Sequence, residues 1–128
     1  FGIEPDKGLS DYLCDDIDLA DLMIRPGNID HFVILPGGAP VLDSSEMLSS
    51  PKMCSLVEEL KHRYPKRIII FDMPPILGTA DTVSFAPCVD CSLIVVEDDV
   101  TKETELKQAI ELMSVTNVLG TVLNKAKY

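Results

Sequence analysis

The chain has 128 residues, 46 % of them hydrophobic and 25 % charged, with a formal charge of −10. That is enough apolar material for one domain core. It argues against a binder of phosphate backbones or anionic membrane surfaces, which needs clustered Lys and Arg, and no apolar run approaches the roughly 18 residues of a membrane span.

In chain order, "FGIEPDKGLSDYLCDDIDLADLMI" (1–24) reads as loop and short helices without a strand of its own. "HFVIL" (31–35) reads as a buried strand stopped by "PGGAP". Ser50-Pro51 is an N-cap followed by proline at the first helical position. Met53, Leu56, Val57 and Leu60 then form one apolar helical stripe, which Tyr64-Pro65 ends. "RIIIF" (67–71) is a second strand candidate and runs into Asp72, Pro74 and Pro75. A weaker helix is expected near 79–87. "CSLIVVE" (91–97) is a third strand, and a helix starting near Thr101 carries Leu106, Ala109, Ile110 and Met113 on one stripe. "NVLGTVLN" (117–124) is the fourth strand and ends at Asn124. Short strands apolar on both faces, alternating with helices, predict an α/β fold with a parallel sheet.

Four cysteines are present, and Cys88 and Cys91 form a C-x-x-C. No second such pair accompanies it, and it leads into a strand rather than a helix. Small buried cysteines, or cysteines at the start of a strand, are therefore expected in place of a zinc or redox site. Nothing calls for an oxidising compartment, and no basic-then-apolar leader opens the chain, so the expected location is the cytoplasm. His31 and His62 lack partner spacing and read as surface residues.

In an open parallel sheet, ligands bind beyond the carboxyl ends of the strands. Asp72 stands at such an end, held by a buried strand and followed by prolines that lack an N–H and fix φ. An acid placed there suits Mg²⁺ held through water. A solvated aspartate in a strand-terminating turn fits the same pattern. A phosphoacceptor receiver domain, with Asp72 and Lys125 as its aspartate and lysine, fits worse. Asp15-Asp16 follow a helix-like segment and not a first strand, and the prolines crowd the acid.

"RYPKRIIIFDMPPIL" (63–77), preceded by "LPGGAPVLDSSEMLSSPKMCSLVEEL" and followed by "VDCSLIVVEDDVTKETELKQAIELMSVTNVLGTVLNKAKY", resembles the bacterial tyrosine autokinases of exopolysaccharide and capsule biosynthesis. These are relatives of the MinD and ParA ATPases, and "RYPxRIxIFDxPPxL" is most similar to their exosortase-associated subgroup. The opening "FGIEPDKGLSDYL" resembles the segment after the family's second Walker motif. The resemblance runs through nearly all of the chain. It implies an α/β, three-layer, mostly parallel sheet of P-loop NTPase type (MinD-like, Rossmann-like) that lacks the P-loop strand. Residues 1–128 would be the C-terminal portion of one tyrosine autokinase domain.

No G-K-[ST] occurs in the 128 residues, whose one Lys-Gly pair, Lys7-Gly8, is reversed. No apolar strand ending in D-x-D occurs either. The resemblance places both motifs upstream of Phe1. It implies the following roles. Asp72 is the Walker B acid that supports Mg²⁺. Asn124 reads the adenine of ATP with an amide that donates and accepts. Pro74 and Pro75 shape the loop. Asp81 in "GTAD" lies near an acid that some relatives carry, and reads more readily as a helix N-cap. Gly37 and Gly38 serve a turn, and "SSEMLSSP" opens a helix. Tyr128 could begin a phosphorylated tyrosine tail.

The parent protein would use ATP and Mg²⁺, with neither expected to stay bound to these residues alone. Its partners would be a membrane polysaccharide co-polymerase or chain-length regulator and other kinase subunits. No nucleic acid and no direct membrane insertion are expected, and the parent would associate with the inner face of the plasma membrane. A MinD- or ParA-like ATPase of another role, or a non-catalytic adaptor without a P-loop, is the alternative. Without the P-loop strand, the sheet should carry a gap or re-pair its strands.

Overall fold

The computed structural model of the chain describes residues 1–15, 17–27 and 29–127. They form two compact units, Phe1–Ser44 and Ser45–Tyr128. Tyr128 itself, the candidate phosphorylation site, lies outside the described residues.

The first unit holds helices α1 (Leu9–Cys14) and α2 (Leu19–Leu22). The Asp18 carboxylate caps α2 by accepting the Ala20 N–H at 3.0 Å, and α2 buries Leu19 and Leu22. "HFVIL" does not form the expected strand. Only Ile34 pairs, in an isolated antiparallel bridge with Ile24. The chain beyond it runs against the start of α1, where Leu9 N–H donates to the Pro36 carbonyl at 2.8 Å and Ser10 N–H to that of Gly37 at 2.9 Å. The backbones meet there because Gly8 has no side chain. A Cβ on Gly8 would lie 2.3 Å from the Gly38 nitrogen and 2.4 Å from the Pro36 oxygen. Gly8→Ala is expected to destabilise this unit by about 1–3 kcal/mol. Faster amide exchange at Leu9 and Ser10, with α4 and β1 unaffected, is the measurement that checks it.

In chain order after α1 and α2 come α3 (Ser44–Leu48), α4 (Pro51–Arg63), α5 (Asp81–Phe85), β1 (Cys91–Glu97), α6 (Glu103–Leu112) and β2 (Asn117–Asn124). One-turn 3₁₀ segments follow α5 (Ala86–Cys88) and α6 (Met113–Val115).

The α4 helix follows the sequence reading closely. Ser50 Oγ accepts the Met53 N–H at 3.2 Å, Pro51 takes the first turn, and Tyr64 N–H closes the end on the Leu60 carbonyl. Its stripe of Met53, Leu56, Val57 and Leu60 is buried. Phe85, Ala86, Ala109 and Met113 complete the core. On α6 the expected stripe is only half used. Ala109 and the following Met113 are buried, whereas Ile110 is exposed.

The α/β class holds, with β1 and β2 running parallel and α6 between them in the chain. Their register pairs Val95 with Val122 and Glu97 with Asn124, with an irregularity at Ser92/Leu93 opposite Val118 and Gly120. Among the described residues the sheet has two strands, where four were expected. Residues 67–71 stay out of the ladder. They keep a strand-like alternation, with Ile68 and Ile70 exposed and Ile69 and Phe71 half-buried. An apolar run supplies the side chains of a strand, but only a hydrogen-bonded neighbour makes it one.

Two ties hold the helical layer to this segment and to β1. The Phe71 ring meets the Phe85 ring edge-on, with centroids 4.8 Å apart. Lys61 on α4 donates to Asp90 at 2.7 Å and to Glu58 at 3.1 Å. Those two bonds, Asp90 foremost, raise the lysine above its usual 10.5. The lysine's charge therefore contributes fully below its usual value, and that contribution is lost as pH climbs through the raised one.

Cys54 on α4 is joined to Cys88 by a disulfide, and Cys14 and Cys91 are free and exposed. The C-x-x-C thus does not act as a pair. Its first cysteine bonds to a residue 34 positions earlier.

Candidate functional site

The approach to Asp72 is fixed at both ends. Upstream, Arg67 N–H donates to the Tyr64 carbonyl at 3.0 Å, and its guanidinium lies over the Tyr64 ring, 5.3 Å from the centroid. Downstream, the Thr82 hydroxyl on α5 donates to the Pro74 carbonyl at 2.9 Å, and Gly78 N–H turns back to the Pro75 carbonyl at 2.9 Å. With Phe71 seated on Phe85, the acid is presented from a braced loop. Asp72 is exposed, and its carboxylate meets no hydrogen-bond donor and no cation among the described residues. Asp81 is the first residue of α5, and Ala80 holds the N-cap position. The N-cap expected at Asp81 is therefore one residue off.

A second group forms where β1 and β2 end together. Asp98 N–H donates to the Asn124 carbonyl at 3.0 Å, which closes the two strand ends on each other. The Asn124 Oδ1 accepts the Lys125 N–H at 2.9 Å, while the Lys125 Nζ lies 2.8 Å from a Glu97 carboxylate oxygen. Lys125 and Asp99 both take positive φ, 57° in each case. Half of the Asn124 side chain is therefore engaged, and its Nδ2 remains as a donor. Sequence reading singled out Asn124 but not the Glu97–Lys125 pair. The only signal for it is an acid and a base following two strands that turn out to be register partners.

Elsewhere, Gly38 has φ 83°, and a Cβ there would lie 2.2 Å from Ser10 Oγ, so its role is the close turn within the first unit. His31 and His62 are exposed. Among the described residues no group of three or more His, Cys, Asp or Glu is placed to hold a metal ion, and no helix is long and apolar enough to cross a membrane. A lone, unpaired carboxylate fits Mg²⁺, which keeps most of its waters. It does not by itself make a closed metal site, and the 128 residues hold no phosphate-cradling loop of the G-K-[ST] kind.

No family model matches the chain. Over 127 residues, covering 98 % of this chain and 54 % of the relative, it is 28 % identical to the putative tyrosine-protein kinase CapB of Staphylococcus aureus. It is 31 % identical over 97 residues to the succinoglycan biosynthesis transport protein ExoP of Rhizobium meliloti, covering 72 % of this chain and 12 % of ExoP. The kinase domain of VpsO superposes with a TM-score of 0.87 at 25 % identity, covering 99 % of this chain and 63 % of that one. The chain is a homologue of the bacterial tyrosine-protein kinases. It spans about half the length of the kinase CapB. Its likeness to these kinases takes in the whole stretch from the first unit to β2, so Asp72 and Asn124 both lie within the matched region.

Proposed function

We propose that these 128 residues are the C-terminal part of the catalytic domain of a protein-tyrosine autokinase that uses ATP and regulates exopolysaccharide synthesis or export. The observation that carries this reading is likeness to a kinase over 98 % of the chain, together with an exposed, unpaired acid at the end of an extended apolar segment. In this reading Asp72 accepts hydrogen bonds from water bound to Mg²⁺, and the braced Pro74-Pro75 loop keeps its carboxylate aimed. Asn124 offers its free Nδ2 to a ring nitrogen of adenine. Lys125, tied to Glu97, holds the amide in that orientation. Magnesium would neutralise charge on the transferred phosphoryl group. The 128 residues alone bind ATP weakly and do not turn over. The parent works in the cytoplasm, at the inner face of the plasma membrane, with a membrane chain-length regulator and other kinase subunits as partners.

The test is radiolabelled ATP and Mg²⁺ with the gene product that carries these residues. Label on tyrosine is expected, and Asp72→Asn removes it. Undiminished labelling in that variant takes Asp72 out of the site. The absence of G-K-[ST] from the 128 residues favours one competitor, a non-catalytic adaptor. A gene product with neither a P-loop nor a D-x-D strand, and no labelling, would decide for it.

A further inference from the structure

Cys54 lies on α4, and Cys88 ends the 3₁₀ turn after α5, 34 positions later. Their Cα atoms are 5.3 Å apart, a spacing at which a bond between them forms or opens without moving the backbone. Both residues are half-buried, so a peroxide or a small dithiol can reach the sulfurs. The other two cysteines, Cys14 and Cys91, are free thiols exposed to solvent. A compartment that kept one pair permanently oxidised would not spare two exposed thiols, whereas disulfides in reducing compartments are mostly transient. Opening the bond need not unfold the unit. Met53, Leu56, Val57, Phe85 and Ala86 are buried around it, and Lys61 joins α4 to Asp90, just beyond Cys88, at 2.7 Å.

The α5 helix holds the chain on both sides of Asp72. Phe85 seats the Phe71 ring before the acid, with centroids 4.8 Å apart, and the Thr82 hydroxyl donates to the Pro74 carbonyl after it, at 2.9 Å. The disulfide fastens the end of that helix to α4. Oxidation therefore stiffens the frame that presents Asp72, and reduction leaves the frame to one ion pair and to packing.

We infer that Cys54 and Cys88 form a reversible redox clamp on the Asp72 loop, closed by a peroxide and opened by a dithiol. In closing, one thiolate attacks a peroxide oxygen and becomes a sulfenic acid, releasing hydroxide, which takes up the proton that the thiol shed. The second thiol displaces the sulfenic oxygen as water. Two thiols and one hydrogen peroxide thus become one disulfide and two waters. In opening, a thiolate of the dithiol attacks one sulfur and displaces the other as thiolate. The second thiol of the reductant then closes its own disulfide, leaving both cysteines reduced.

What the clamp does to phosphorylation rests on the kinase reading, but the clamp itself does not. The full 128-residue chain is treated with hydrogen peroxide and then with dithiothreitol, without denaturant. Free thiols are blocked at each stage and the links mapped by peptide mass spectrometry. A Cys54–Cys88 link is expected to appear with peroxide and vanish with dithiothreitol, with circular dichroism unchanged. The Gly78 and Ser84 amides, which donate to the Pro75 and Ala80 carbonyls, should exchange about tenfold more slowly in the linked form, and those of β2 by no more than about twofold. Cys54→Ser and Cys88→Ser should each keep the reduced rates in peroxide. No link, a dominant Cys88–Cys91 link, a link that opens only in denaturant, loss of structure on reduction, or equal slowing in β2 overturns the inference. The gene product that carries these residues is then given radiolabelled ATP in both states. Tyrosine labelling at different rates in the two states supports the clamp, and equal rates overturn its regulatory role. Labelling absent from both, with the link and the exchange result intact, counts against the kinase reading and leaves the clamp standing.

Discussion

Phe85→Ala is expected to abolish the cooperative unfolding transition of the second unit. Phe85 is 2 % exposed and sits at the end of α5, where it touches both the helical layer and the Phe71 ring. Removing a buried phenylalanine side chain costs about 3–5 kcal/mol from lost transfer energy and the cavity left behind. Whole domains have only about 5–15 kcal/mol to lose. A unit with a two-stranded sheet and an uncovered face stands at the low end of that range. The same change unseats Phe71 and frees the loop that presents Asp72. Urea unfolding followed by circular dichroism is the measurement, with Leu42→Ala as control. Leu42 is fully exposed, and its loss should change stability by no more than about 0.5 kcal/mol. A Phe85→Ala midpoint within the control's range would mean that α5 does not anchor this core.

The purified chain by itself should also self-associate at micromolar concentrations, as polydisperse species and not as a defined dimer. Ile68, Ile70, Leu93 and Val95 are exposed beside two unpaired edges, which combines an apolar patch with open backbone donors and acceptors. Changing Ile68 and Ile70 together to lysine should shift the chain towards monomer. Both side chains are exposed, so the change adds charge without emptying the core. Light scattering after size exclusion checks this. A chain that stays monomeric and binds no hydrophobic dye would show that the bare row is not adhesive.

Helices proved readable where local chemistry decides them. Ser50-Pro51, the stripe from Met53 to Leu60 and the Tyr64-Pro65 stop place α4 within a residue of where it lies. A capping serine and a 3.6-residue apolar period act on neighbours only a few positions away. The last two strands were readable for a related reason, because α6 returns the chain beside β1 and each strand becomes the other's partner. Ile110 belongs to the periodic stripe yet is exposed, because periodicity gives the direction of a stripe and not the width of what covers it. The Cys54–Cys88 bond left no local trace, since its partners come together only when α4 and the 3₁₀ turn after α5 meet. At the site, Asp72 was found from an apolar run ending in an acid. Its freedom from partners, and the pairing of Lys125 with Glu97 beside Asn124, depend on which chain ends meet.

Sequence alone determined the α/β class, the helix positions, the candidate acid and the kinase relationship, because these rest on side-chain pattern along the chain. Tertiary structure decided which apolar runs become strands. "SLIVV" and "VLGTVL" each have a hydrogen-bonded neighbour, and "RIIIF" has none among the described residues. Backbone pairing is a relation between two segments, and no single segment carries it in its own residues.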